Sequence, residues 1–347
     1  MSATLSYPSI EDYLGPADKR FFSRGFRRSE HEVSGLLLTP GPEPAAGARA
    51  LATVRYPLDW STKAVGTDLR PHLSTVDVLI LGAQLAEAHL AFAYGLDARA
   101  RAAMWLRRVN LRAGTAPQED LIDLPCSAEL RRTTPAPEGD ALLSVYDCSV
   151  GAMRVTCEIE HPAASTADCA AADGEAGGPR SHATLEDALG PAHERYYGAG
   201  YKSRQQGVED VRVDMGQLRS AGTVRIEHAG SFPDLTAGIE GQYQPSLSMI
   251  DCFVVNLQLA QVLMYEMDSI ARQDTNTLWM IKTRLDAERP RRPFGDSVPA
   301  QAQITAKPLV PLRGGMWRNV DISAHCGGVT LRSSFAHELP GQPASVN

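Results

Sequence analysis

What this sequence lacks narrows its chemistry first. None of its six cysteines forms a C-x-x-C pair or has a histidine at zinc spacing, so neither a disulfide framework nor a structural metal is expected. The net charge is −7 and no basic tract offsets it; the arginines of Glu288–Arg292 make only a short loop cluster. A nucleic-acid partner is therefore not expected. There is no G-x-G-x-x-G after a strand, no Walker loop and no G-x-S-x-G elbow, which argues against dinucleotide, P-loop and serine-hydrolase chemistry. The first twenty residues have neither the basic start nor the apolar run of a signal peptide. The apolar stretches are broken by Asp, Gln, Glu and His, so no membrane span is expected and the expected location is cytoplasmic. What remains is an ordinary globular composition, 43% hydrophobic and 22% charged over 347 residues, long enough to bury two cores.

Against that background one stretch stands out. Pro71–Tyr94 is apolar on nearly every side yet carries Asp77 and Gln84. Residues seven apart on a helix share a stripe, about 10 Å apart along the axis. The pattern returns from Pro245, where Asp251 and Gln258 are again seven apart. A helix that is apolar all round belongs in a core, and a core rarely holds an acid without a reason.

The recurrence belongs to a larger one. Ser9–Phe26 and Thr184–Tyr201 share eight of eighteen positions, including an LGPA run, and Pro71, Trp105, Pro125 and His161 match Pro245, Trp279, Pro299 and His337. The chain is a whole-domain duplication, expected as a first domain over 1–161, an Ala/Gly-rich linker over 162–182 and a second domain over 183–347. Residues 1–9 read as a loose leader. Each half reads as two strands, a long buried helix (74–94 or 248–268) and about four further strands. An apolar helix is satisfied by a curved antiparallel sheet wrapped around it. The expected fold class is thus α+β, a double (tandem) hotdog and a pseudo-dimer within one chain, which leaves room for a homodimer of chains.

Two readings of the acids stay open. Asp77 and Asp251 each stand three residues after a serine, the spacing of a capping box. Alternatively each acid moves protons in a tunnel along its helix while the glutamine two turns on holds a carbonyl; burial would then raise the carboxyl pKa toward neutrality. The halves differ near these acids: His72 is replaced by Ser246, and Gly82 by Asn256. His228 closes a strand ahead of the second helix, where a base would stand. Arg107, Arg108 and Lys282, on the strand after each helix, are candidates to grip phosphate.

The paired S-x-x-D-x6-Q helices, the E-D-x-L-G-P-A openings and the duplication resemble the avirulence-D family of bacteria, associated with forming syringolides, acylated sugar-derived lactones. The helix entries PHLSTVD and PSLSMID are similar to the H-P-x-x-x-D entry of polyketide dehydratase halves, with His and Pro inverted. The dehydratase H-x-x-x-G-x-x-x-x-P motif is not matched, since His228 has Gly230 and Pro233 after it. By architecture the chain also resembles A-factor type butenolide synthases. These resemblances imply an acyl thioester substrate, carried by coenzyme A or an acyl carrier protein, and no metal or redox cofactor. The leading expectation joins a β-ketoacyl thioester to a sugar-like hydroxyketone, with closure to a butenolide. In it Asp251 is the base, Gln258 and Asn256 orient the acyl carbonyl, helix N-terminal N–H groups hold the oxyanion, and Asp77, His72 and Gln84 form a second site. The alternatives are a dehydratase or isomerase using Asp251 and His228, and a non-catalytic lipid or lactone binder.

Overall fold

A computed structural model describes residues 4–40, 46–59, 70–163, 178–228, 237–270, 278–295, 297–312 and 315–343. Most of the expected linker, 164–177, and the loop after His228 lie outside the described residues. The first half holds β1 (Thr4–Ser9), a short helix α1 (Glu11–Leu14), β2 (Glu30–Thr39), β3 (Gly47–Arg55), the long helix α2 (Thr75–Ala93), a short α3 (Ala98–Ala102), β4 (Trp105–Arg112), β5 (Leu124–Pro135), β6 (Leu142–Val150) and β7 (Met153–His161). The second repeats the order with β8 (Arg180–Thr184), α4 (Leu185–Leu189), β9 (Arg204–Asp214), β10 (Arg219–His228), the long helix α5 (Met249–Asp268), β11 (Trp279–Ala287), β12 (Val298–Ala306), β13 (Leu309–Leu312), β14 (Gly315–Cys326) and β15 (Val329–Pro343).

All fifteen strands form one antiparallel sheet, in the order β1-β9-β10-β12-β14-β15-β11-β4-β7-β6-β5-β3-β2-β8, with β13 on β14. The strands read in period two: every other residue of β7 and β12 is buried and the residues between face out. Their apolar faces wrap the two long helices, α2 against β3, β5, β6 and β7, and α5 against β10, β12 and β14. Helix α2 is long and apolar enough to cross a membrane by length and composition, but here every residue from Thr75 to Leu90 is buried in protein. It sits so close to β7 that a Cβ on Gly82 would meet Val155 Cγ1 at 2.5 Å. The double hotdog is therefore the fold, and its halves join edge to edge through β4 and β11, where Asn110 stands opposite Arg284.

The chain departs from two simply adjacent domains at their openings. Thr4–Ser9, expected as a loose leader, is a strand paired with β9 of the second half. Reciprocally β8, which opens the second half, pairs with β2 of the first. Ile10 N donates to Val208 O at 2.9 Å. Phe22 meets Phe253 of α5 edge to face, and Phe26 stacks on Tyr201 across the centre. Each opening segment thus pairs with the outermost strand of the other half, and β1 and β8 become the two ends of the sheet.

This exchange generates an expectation for cleavage. Cutting between Pro162 and Pro179 should leave the two fragments co-eluting in size-exclusion chromatography, because strands cross in both directions. Fragments 1–161 and 183–347 expressed separately should be insoluble or unfolded; a folded, monomeric half by circular dichroism would contradict the exchange.

Candidate functional site

Each long helix begins at a serine N-cap, and the aspartate three residues on is completely buried. Ser74 accepts from Asp77 N, and Ser248 from Asp251 N, while Ser248 N donates back to Asp251 Oδ2 at 2.9 Å, closing a capping box. The capping reading of these acids is correct as far as it goes. It does not account for the other groups gathered on them.

On Asp77, Oδ1 accepts from Ser29 Oγ at 3.0 Å and pairs with His31 Nε2 at 2.7 Å. Oδ2 accepts from Tyr56 OH and from Ser74 Oγ at 2.5 Å. Around Asp251, Arg204 Nη1 donates at 2.6 Å, Gln206 Nε2 at 2.7 Å, Ser248 Oγ at 2.8 Å and Tyr196 OH at 3.4 Å. The two shells are built from equivalent positions. Continuing the repeat past Phe26 and Tyr201 lines Ser29 up with Arg204 and His31 with Gln206. One half therefore places a histidine on its aspartate, where the other has an amide and adds a guanidinium.

Burial is the largest influence on both carboxyls and pushes them up, the direction expected from the sequence. It is overturned. The bond and charge of His31, with Ser74 and Tyr56, hold Asp77 below the ordinary aspartate range. The Arg204 charge, with Ser248 and Gln206, does the same for Asp251. Neither acid is poised near neutrality, because a carboxylate with this many donors is favoured ionised. The surroundings differ in access. Arg204, Tyr196 and Ser248 are all sealed from solvent, and Arg204 is sandwiched between Tyr196 and Phe294 at 4.5 and 5.1 Å. His31, Tyr56 and Ser74 are only part-buried. Asp251 is a closed ion pair, both side chains fully buried, whereas Asp77 orients an imidazole that is 7% exposed.

The other expected site residues fall in several places. Gln84 and Gln258 are buried, but each amide oxygen is taken by an arginine from the opposite half: Arg195 reaches Gln84 at 3.1 Å, and Arg20 reaches Gln258. Arg20 and Arg195 are the same repeat position in the two LGPA openings. A second reciprocal pair follows them, Lys202 to Ser29 O at 2.6 Å and Arg27 to Arg204 O. These glutamines hold the halves together, which is not the carbonyl-holding role expected. Asn256 is fully buried at the position of Gly82, and neither atom of its amide has a partner among the described residues. His72 is half-exposed with Nδ1 3.4 Å from Arg70 O; it is His31 that bonds Asp77. His228 stands across the ladder from Arg204, and burial together with that guanidinium lowers its pKa. Arg107 pairs with Glu160 at 2.9 Å, and Arg108 with Glu158 and Asp286 at 2.9 and 2.5 Å. Lys282 is exposed on the outer face of the sheet, away from both buried acids.

The family model described as Pseudomonas avirulence D protein (AvrD) matches residues 5–340. No curated protein matches at a significant level. Among solved structures, the chain is similar to a conserved Mycobacterium tuberculosis protein with a double hotdog fold at 10% identity and a TM-score of 0.41, covering 97% of this chain and 96% of that one. It is similar to the tesB protein of Mycobacterium avium subspecies paratuberculosis at 9% identity and 0.37, covering 83% and 92%. It is also similar to the dehydratase domain of RzxB from Pseudomonas fluorescens at 11% identity and 0.34, covering 83% and 94%.

Two stability outcomes follow from the acid shells. Removing the guanidinium in Arg204→Met leaves Asp251 buried and unpaired, which should cost about 3–5 kcal/mol in urea unfolding; a loss under about 1 kcal/mol would contradict a sealed pair. An aspartate held low when folded favours the folded state above its unfolded pKa of about 3.9, and that gain disappears as pH falls through the lower folded value. The melting temperature should therefore fall steeply below about pH 4, and less steeply in Asp251→Asn measured against its own neutral-pH value.

Proposed function

The chain belongs to the avirulence D family, and on that footing we propose that it is an enzyme acting on an acyl thioester, with His31 and Asp77 as its proton-transferring pair. The observation that carries this reading is the pairing of His31 Nε2 with a buried, ionised Asp77 at 2.7 Å, beside an equivalent site that has Gln206 and Arg204 instead. Asp77 fixes Nε2 as the donor, which leaves the lone pair of the neutral imidazole on Nδ1. A base oriented in this way takes a proton from a substrate without first breaking the bond that holds it. Asp251 cannot serve in the same manner, since its lone pairs are committed to five donors and its charge to Arg204. The expected division of labour is reversed: the first half works and the second holds.

The substrates proposed are a β-ketoacyl thioester and a small sugar-like hydroxyketone, the pair that the family resemblance implies. His31 removes the hydroxyl proton as the oxygen attacks the thioester carbonyl. The C–S bond breaks, and the thiolate leaves with that proton as a free thiol. The carbon between the two carbonyls of the resulting ester is acidic; its proton goes to the same imidazole as the carbon attacks the ketone. That carbon–carbon bond closes the five-membered ring, the imidazole returns the proton to the ketone oxygen, and loss of water leaves the butenolide double bond. Atoms balance as one thiol and one water released per lactone formed. The Tyr56 hydroxyl, bonded to Asp77 and to Ser74 N, keeps the carboxylate in place during both transfers.

Incubation of the purified chain with a β-ketoacyl thioester, with and without a ketose, tests this by thiol release and product mass. A ketose-dependent product is expected whose mass is that of thioester plus ketose less one thiol and one water. His31→Asn should lower its rate about 10²–10⁴-fold, the usual share of general acid–base catalysis, with the melting temperature little changed. Water loss from a 3-hydroxyacyl thioester would make the same pair a dehydratase. An unaltered lipid retained in native mass spectrometry, with no turnover of either substrate, would make the chain a binder.

A further inference from the structure

Behind the two helices, on the outer face of the sheet, a groove of about 1240 Å³ crosses the β4·β11 junction. The chain as a whole carries −7, yet this groove is lined by six cations and only three carboxylates. Arg154, Arg112 and Lys282 stand directly opposite one another on β7, β4 and β11. Neighbouring strands are about 4.8 Å apart, so three positive charges lie in one cross-strand row roughly 10 Å long. Like charges facing one another across a ladder destabilise the pairing. All three side chains are exposed.

The pseudo-twofold centre at Asn110 and Arg284 supplies an internal control. Four residues along the same strands, the equivalent row reads Glu158, Arg108 and Asp286, and there the single arginine is bridged to both acids, at 2.9 and 2.5 Å. Among the described residues no acid bridges the cationic row, and Arg154 donates only to the carbonyls of Gly151 and Met153, each at 3.2 Å. Of the three carboxylates in the groove, Glu129 and Asp147 are engaged by Arg131, at 3.7 and 2.7 Å, and Asp321 accepts from the Ser334 hydroxyl at 2.5 Å, two strands along the row from Lys282. Arg332, opposite Arg284 on β15, adds a fourth exposed cation beside the row. Two rows of one duplicated sheet thus differ in that one is neutralised within the protein and the other is not.

We propose that the Arg154–Arg112–Lys282 row is a binding site for a phosphate-bearing ligand, with the phosphoryl or diphosphate oxygens spanning the three strands. Planar guanidinium groups bind such oxygens bidentately and the ammonium adds a point charge. The site lies on the face of the sheet away from Asp77, and it does not depend on the reaction proposed there. The ligand chemistry has two natural sources, the phosphates of coenzyme A and those of a sugar phosphate.

Calorimetric titration of the full chain at low ionic strength with inorganic pyrophosphate, coenzyme A and glucose 6-phosphate tests the proposal. Saturable binding is expected, weakening as salt is added. Losing one charge-assisted contact in Arg112→Ser or Lys282→Ser should weaken it about tenfold or more, while Arg108→Ser, in the neutralised row, should bind as the parent does. Coenzyme A binding without the sugar phosphate assigns the groove to a thioester carrier, and the converse to a phosphorylated acceptor. Lys282→Glu should also melt at a higher temperature than the parent in phosphate-free buffer, because it relieves the repulsion. No saturable binding of any of the three probes, or equal binding by the Arg112 and Lys282 variants, would overturn the site.

Discussion

A carboxylate buried at the first turn of an enclosed helix must be compensated or neutralised, and the rest of this structure is arranged around that requirement. The hotdog wrap needs a helix apolar on every face, so an acid within it has no solvent to turn to. The first turn is where the charge is least costly, because cap hydroxyls and N–H groups point there and the helix dipole favours a negative charge. The duplication posed the problem twice, and the halves meet it differently. Around Asp251 the shell is complete and closed, with a guanidinium between aromatic rings. Around Asp77 the ring partner is a histidine whose side chain is 7% exposed. The first arrangement is a closed ion pair; the second holds an imidazole against its acid.

The exchange of opening segments ties those two solutions together. Arg20 and Arg195 cross to the glutamines of the opposite helices, and Arg27 and Lys202 cross to the backbone beside the opposite acid shells. Lys202, on the second half, holds the carbonyl of Ser29, whose hydroxyl bonds Asp77. The second half therefore positions the first half's site even though its own acid is locked.

Much of the fold was legible because it rests on local pattern. Apolar helices at 74–94 and 248–268 and period-two strands dictate a wrapped helix, and the repeat of LGPA and of S-x-x-D dictates two of them. The exchange was not legible, since a strand at 4–9 presents the same alternation whichever half receives it. At the site, Asp77 and Asp251 were visible as acids in apolar helices, but their shells come from strands far away in sequence, so the direction of their pKa shifts was misjudged. Gln84 and Gln258 were visible as polar residues on a buried stripe; what claims them is an arginine some 110 or more residues distant. His31 was within reach: extending the repeat by five residues sets Ser29-Glu30-His31 against Arg204-Gln205-Gln206. That comparison alone distinguishes a half that sets an imidazole on its acid from one that sets an amide and a guanidinium there.

The central claim is that this two-residue difference separates a working site from a structural one. It is tested most directly by writing the second shell into the first, as Ser29→Arg with His31→Gln, and measuring ketose-dependent thiol release from a β-ketoacyl thioester in a single turnover. The account predicts a folded protein with the parent's melting behaviour and thiol release reduced to the uncatalysed rate. Release at the parent's rate from that folded double variant would contradict it, and would return the chemistry to Asp251 or to a group elsewhere in the chain.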